Sequence, residues 1–432
     1  MTDNTPSASE QNRARVRRSP AVAIAAIGAV GVAALGLLFS RPDVVAVGIP
    51  LALSVVVAIT TRAQPSPKVS IEARTDADAE ALHDVITVDS AAPAVELDVV
   101  QGGRARATVL VPGRSRLQAR LSVRHSGPVP AVEIEGRVIG EDAATLGPMI
   151  APASITRSVP PPSRVLRRLP LPARLTGVHG AHDGSRPGQG GDFRDIHPFA
   201  PGDELRRVDW RATARAAMRP GDLLVRRTDA LSDASVVIVM DTADDLGAVV
   251  ATWGRRDPER SGITSLDVAR EAARSLAEAA AASGDRVSFH TLAHGGRTIR
   301  SGAGARHLAR VVAEISASGE GGDDARFRRT PPVPHGSIIY VLSTFFDGAA
   351  AEVAKTWRAS GHRVVGVDVL PALDRTRLEP ERDLTLRVLL AERTDMMHEL
   401  RTAGIDVVAW RDDPALDLGA LAMVRPNSGV GR

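Results

Sequence analysis

The chain contains no cysteine, so disulfides, thiolate metal sites and a cysteine nucleophile are excluded together. Aromatic residues are nearly as rare, with seven Phe, four Trp and one Tyr in 432 residues. A stacking platform for single-stranded nucleic acid needs several aromatics on one surface, so nucleic acid is not an expected partner. Lys68 and Lys355 are the only lysines, and Arg supplies the rest of the positive charge. No P-loop, nucleophile elbow or His-Glu-x-x-His helix occurs, and no catalytic residue is assigned. With 44% hydrophobic and 24% charged residues, the balance is that of a folded protein. At roughly 150 residues per domain, the length predicts two or three units.

Long uncharged runs are present, and both lie near the start. Residues 21–39 form 19 consecutive positions without a charge, and residues 44–61 form a second such run after Arg41, Pro42 and Asp43. At about 1.5 Å per residue, either run nearly matches a hydrocarbon core of about 30 Å. Neither has a polar face, so a helical hairpin through a bilayer is expected over 20–62, after a basic tail at 1–19. Arg13, Arg15, Arg17 and Arg18 precede the first run, and Arg62 and Lys68 follow the second. The positive-inside rule then puts both termini and the soluble domains in the cytoplasm, in a cell-membrane protein.

Residues 63–159 alternate with period two, in runs at 69–74, 95–100, 106–111, 117–123 and 132–135. Gly102-Gly103, Pro112-Gly113 and Ser126-Gly127-Pro128 are the expected turns, and a small antiparallel β-sandwich follows. Residues 160–230 read as a Pro- and Arg-rich linker. From 231 to 432, apolar strands at 236–240, 287–292, 338–342, 364–370 and 405–410 alternate with helices at 265–282, 305–315, 349–359 and 393–403. That alternation predicts a mainly parallel, doubly wound α/β sheet, with any site at the carboxyl ends of its strands near Asp241 and Ser343-Thr344.

The net charge of +3 hides an uneven distribution. Residues 160–227 hold 13 Arg against seven Asp and Glu, so this stretch is net +6 and the remainder net −3. Within it, Phe193, Phe199 and Trp210 gather three of the 12 aromatics. Arg207, Arg211, Arg215 and Arg219 are spaced four apart, so one helix face is expected to carry at least the first three. Three readings stand for this stretch. One is a solvated face with structural ion pairs. Another is a docking surface for an acidic partner or phosphate. The last is a metal site built from Asp192, Asp195, Asp203, Asp209 and His197, which would make the chain a metal-dependent hydrolase. His179 and His182 form a weaker pair for zinc, because no helix aims them.

The run Gly191-Asp192-Phe193-Arg194-Asp195-Ile196-His197-Pro198-Phe199, with Pro201-Gly202-Asp203, Arg206-Arg207, Asp209-Trp210 and Ala214-Arg215 after it, resembles the signature of a bacterial family. It is the family catalogued as domain of unknown function 58. The likeness spans the two leading helices, the β-rich segment, the signature and the sheet domain. The resemblance implies a von Willebrand factor A-like fold over 231–432. It also implies partnership with a MoxR-type AAA+ ATPase in maturation of envelope proteins or complexes, in a non-enzymatic interaction or assembly role. An adhesion-type Mg²⁺ site in such a fold follows the pattern Asp-x-Ser-x-Ser, whereas this chain has Asp241-Thr242-Ala243-Asp244-Asp245. Asp241 matches, Ala243 offers no ligand and Asp245 replaces a hydroxyl, so Asp241 and Asp245 are the candidate ligands of a degenerate adhesion-type site and Mg²⁺ binding there is expected to be weak at most. No resident cofactor is expected. The simpler role for Asp241 is to cap the loop after its strand.

Overall fold

The computed structural model describes residues 17–60, 67–74, 81–102, 105–140, 145–173, 175, 180–216, 222–254, 260–293, 296–321 and 330–424. Two compact units emerge: Met1–Val123 with Val129–Arg157, and Arg124–Pro128 with Ser158–Arg432. The segment read as a linker therefore lies within the second unit.

The first unit opens with α1 (Pro20–Leu38) and α2 (Pro42–Thr60), each of 19 residues and each long and apolar enough to cross a membrane. Almost none of either helix is buried by protein, and Ile24, Ile27 and Leu38 are exposed. A soluble core helix would hide these side chains; here they are free to meet hydrocarbon. Ser19 caps α1 through Ala21 N–H, and Pro20 takes the first helical position, where its missing N–H costs nothing. Arg41 and Asp43 pair in the turn, at 3.0 Å. A Cβ at Gly36 would stand 2.5 Å from Val45 Cγ2, so glycine lets the helices converge beside the turn.

The β part of this unit is one antiparallel sheet. β1 (Arg17–Arg18) pairs with β6 (Thr145–Val159), then β5 (Gly127–Ile139), β3 (Ala81–Gln101) and β2 (Lys68–Arg74) follow, and β4 (Ala105–Ser122) pairs with β3. Ile86 and Val88 face the core from the first half of β3, and Val95, Leu97 and Val99 from the second. The switch from even to odd numbers coincides with a register shift between Asp89 and Ala94, which keeps one apolar face inward along the whole strand. Pro112-Gly113, expected to turn, instead lies inside β4, so two expected strands are one. A Cβ at Gly113 would stand 2.0 Å from the Ala92 carbonyl oxygen; the glycine serves a close backbone approach.

The second unit is built on a six-stranded sheet in the order β11 (Thr298–Gly302), β10 (Arg286–Leu292), β9 (Ser235–Asp241), β12 (Ile338–Ser343), β13 (Arg363–Asp368) and β14 (Asp406–Ala409). All neighbours are parallel except β11, an antiparallel edge strand that the sequence reading missed. Val236, Ile238 and Met240 pack under α4 (Ser265–Ala282), with α5 (Ala305–Ala317) and α8 (Pro414–Met423) on the same side. Val237 and Val239 point the other way, onto α6 (Ala349–Ala359) and α7 (Pro380–Thr402). Thr264 caps α4 in a reciprocal capping box with Asp267. α7 starts 13 residues before the expected position, because Leu384 and Val388 in its first turns are exposed and leave no apolar stripe to read.

Residues 160–172 form neither helix nor strand and are strapped to this sheet domain. Leu166 enters the first core layer, Arg164 N–H donates to Ser275 Oγ at 2.8 Å, and the Arg164 guanidinium donates to Glu271 and to the Trp410 carbonyl.

The hairpin geometry makes a prediction that the cysteine-free chain makes easy to test. Val32 Cβ lies 3.7 Å from where a Cβ at Gly48 would stand, within disulfide range. A Val32→Cys/Gly48→Cys chain should oxidise to an internal disulfide in membranes, seen as a gel shift under non-reducing conditions. Adding Gly36→Leu should suppress it; equal cross-linking with and without that substitution would contradict the packing.

Candidate functional site

The signature folds as a two-stranded antiparallel ribbon, β7 (His182–Pro198) with β8 (Leu224–Ser232), followed by a 3₁₀ turn at Leu205–Arg207 and the short helix α3 (Trp210–Ala216). Several of its residues have local structural duties. Ala200-Pro201-Gly202-Asp203 is a turn in which Asp203 N–H donates to the Ala200 carbonyl and Gly202 takes φ +101°. Pro before Gly suits a type II turn, and Asp203 closes it by accepting from Ala200 N–H at 2.9 Å. Asp209 caps α3, accepting from Arg211 and Ala212 N–H. Val208 is buried against Val225, pinning the turn to β8.

Other signature residues point outward. A register shift between Phe193 and Asp195 inserts one extra residue in β7. Such a bulge re-aims side chains, and Phe193 comes under the Arg226 guanidinium at 5.1 Å. An exposed cation–π pair of this kind contributes about 0.5–1 kcal/mol. Phe193 is still 52% exposed, Leu205 65% and Trp210 66%, with Ile196 and Phe199 partly so. Arg194 pairs with Asp229 at 3.1 Å, and Glu204 with both Arg206 and Arg207.

Two expectations are corrected. Arg207 lies in the 3₁₀ turn, so only Arg211 and Arg215 share α3, and Arg219 lies outside the described residues. Among the described residues, the carboxylates of the expected metal set do not converge. Asp203 and Asp209 are committed to backbone N–H groups, His197 stands 3.5 Å from Asp203, Asp195 is exposed, and the Asp192 side chain lies outside the described residues. Among the described residues no three of His, Asp and Glu gather as metal ligands. His179 also lies outside them, and His182 instead meets Asp285 at 2.9 Å, which accepts from Ala234 N–H as well.

The carboxyl edge of the sheet holds a second cluster. Asp241 ends β9; its Oδ2 accepts from Ser343 Oγ at 2.7 Å and its Oδ1 from Ala243 N–H at 3.1 Å, so it does cap its own loop. Asp245 accepts from Leu266 N–H at the start of α4, away from that pair. Asp347 accepts from Ala349 N–H. Ser343 Oγ accepts in turn from Phe345 N–H, and Phe345 is held at φ +56° while 1% exposed. A bulky residue in that region is strained by roughly 1–3 kcal/mol. Beyond it, Arg393 on α7 pairs with Asp368 at the end of β13, donates to the Thr344 carbonyl and lies over Phe346, which meets Trp253 edge-on. The sequence reading did not find Arg393 or Asp368; an Asp closing an apolar strand, as Asp241 does, was the available signal.

Burial pushes the Asp241 carboxyl up to about 6. The hydrogen bonds from Ser343 and Ala243 pull the other way, and the Asp347 and Asp244 carboxylates add to the rise. Asp244 is raised as well, by burial and then by Asp347.

The family model described as "Protein of unknown function DUF58" matches residues 195–379. The match begins at Asp195 within the signature and ends just before α7, so it takes in the end of β7, all of β8 and the strand ends bearing Asp241, Ser343 and Asp368, but not Phe193, Arg194 or Arg393. No curated protein and no solved structure matches the chain.

Asp241 yields a pH-dependent prediction. Its folded value lies above the unfolded one, so the folded state binds the proton more tightly, and stability falls as pH rises from about 4 to about 6. A shift of about two units corresponds to about 3 kcal/mol. Asp241→Asn should gain in thermal midpoint relative to the wild type across that window, by about 5 °C or more, and then level off. A difference between the two melting curves that does not vary with pH would refute the assignment.

Proposed function

We propose that the chain is a membrane-anchored, non-enzymatic docking and assembly protein. The α1–α2 hairpin anchors it with both termini and the soluble units in the cytoplasm. The sheet domain is von Willebrand factor A-like, and together with the Arg-rich signature it engages a MoxR-type AAA+ ATPase during maturation of envelope proteins or complexes. The observation that carries this reading is the surface ribbon, where Trp210, Leu205 and Phe193 remain largely exposed beside Arg side chains. Trp and Arg are the residue types that dominate binding energy at protein interfaces. The strand order, with one antiparallel edge strand beside five parallel ones, supports the A-like assignment.

Full-length protein solubilised in detergent should co-purify with the ATPase. Arg207→Glu/Arg211→Glu should reduce recovery by about tenfold or more, equivalent to about 1.4 kcal/mol. Absence of the ATPase from the wild-type preparation, or equal recovery with the variant, would overturn the docking role.

A further inference from the structure

We infer that the basic half of the outward face of β2, β3 and β4 rests on the anionic headgroups of the bilayer that α1 and α2 cross. These strands belong to the same compact unit as the two helices. The contact goes beyond the partner reading, uses a different surface from the signature, and rests on α1 and α2 being membrane spans.

Ile86 and Val88 point into the core, and the positions alternating with them point outward. The register of β2, β3 and β4 puts Lys68, Arg74, Arg114, Arg116 and Arg120 on that outward side, against Glu72 and Asp89. His83, between Arg74 and Arg120, is the remaining titratable group on this half of the face. Asp89 is already engaged by Arg114 at 3.5 Å. Arg116 and Arg120 are exposed and have no carboxylate partner among the described residues. A shallow depression of about 340 Å³ opens over Val85, with Arg74, Arg116, Gln118 and Glu72 around it. A phosphodiester seated there meets two guanidinium forks.

The other half of the same face has the opposite sign. Past the register shift between Asp89 and Ala94, its charged residues are Glu96, Asp98, Glu133 and Glu135, with Arg106 and Arg137 beside them. Four carboxylates outnumber two guanidiniums there, so an anionic surface attracts one half and repels the other. Chain connectivity brings the basic half close to the bilayer. Lys68 follows Thr60, the end of α2, by eight positions, a reach of at most about 28 Å. β1 ends at Arg18, two positions before α1 starts, and pairs with β6 of the same sheet. The headgroup field extends about 8 Å at physiological salt, and so short a tether holds the face beside it at high effective concentration.

A chain without cysteine can be labelled at single sites. Gln118→Cys places a thiol opposite Val85 in the basic half, and Leu110→Cys places one opposite Glu96 in the acidic half; both positions are exposed. Each full-length chain is labelled with an environment-sensitive fluorophore and reconstituted into phosphatidylcholine nanodiscs, with or without phosphatidylglycerol. Acrylamide, a neutral quencher, then measures how far the label is shielded from water. In anionic discs quenching of the Gln118→Cys label should fall by about twofold or more relative to neutral discs, while the Leu110→Cys label should not change. The shielding should vanish at about 1 M salt, where the Debye length falls to about 3 Å, and in Arg116→Gln/Arg120→Gln. It should survive in Arg116→Lys/Arg120→Lys, which keeps the charge. Absence of shielding at position 118 overturns the contact and leaves the basic half to an acidic protein. Equal shielding of the two labels, shielding kept in the Gln variant, or shielding lost in the Lys variant overturns headgroup recognition. Extraction of the unlabelled chain from vesicles by alkaline carbonate overturns the membrane spans, and the contact with them.

Discussion

Five parallel strands that are apolar on both faces impose one requirement on the second unit: each face must be covered by something the same chain supplies. Val236, Ile238 and Met240 cannot be hidden by the element that hides Val237 and Val239, because successive side chains point to opposite sides. Helices α4, α5 and α8 cover one side and α6 and α7 the other. The strap at 160–172 is a further consequence. Leu166 completes the α4 layer, and the Arg164 guanidinium ties the strap to Glu271 and the Trp410 carbonyl. A proline-rich stretch suits this duty, since it is already extended and loses little entropy when laid along a surface.

The same arrangement creates the strained edge. Strands β9, β12 and β13 run in parallel and end together, so Asp241, Ser343 and Asp368 reach one rim of the sheet. Asp241 is partly buried there, held by a hydroxyl and a backbone N–H, while Asp368 has the Arg393 guanidinium. Losing one partner of a buried pair typically costs about 3–5 kcal/mol, so Asp368 and Arg393 are bound to each other as a structural unit. Asp241 has no such cation, and its raised protonation follows. Strain at Phe345 and an uncompensated acid beside it mark this rim as the least relaxed part of the sheet.

Much of the fold was legible in advance, for identifiable reasons. The two long apolar helices were readable because each is an uncharged run close to the thickness of a hydrocarbon core. Helices α4 and α6 matched their expected bounds, since each carries an apolar stripe and clear ends. Strand β11 was not readable: Thr298-Ile299-Arg300-Ser301-Gly302 is short, polar and at an edge, so it needs no apolar pattern. The single β4 was misread because proline and glycine usually signal a turn, whereas here they sit opposite the irregular stretch of β3. In the signature, composition located the segment but did not separate its duties. Pro201, Gly202, Asp203 and Asp209 build the turn and the cap, and Phe193, Leu205 and Trp210 are left on the surface.

The sequence by itself determined two apolar runs of membrane length, a β-rich region, a strand–helix alternation and an Arg-rich signature. All of these follow from the order of residue types along the chain, through periodicity and local propensity. Tertiary structure alone decided which charges are spent and which remain. Glu204 neutralises two arginines, and a one-residue bulge turns Phe193 toward Arg226, while Arg211 and Arg215 have no carboxylate partner among the described residues. It also decided that Asp241 is hydrogen-bonded to Ser343, a residue 102 positions away. Pairings over that distance depend on how the strands are ordered in the sheet, which no local pattern encodes.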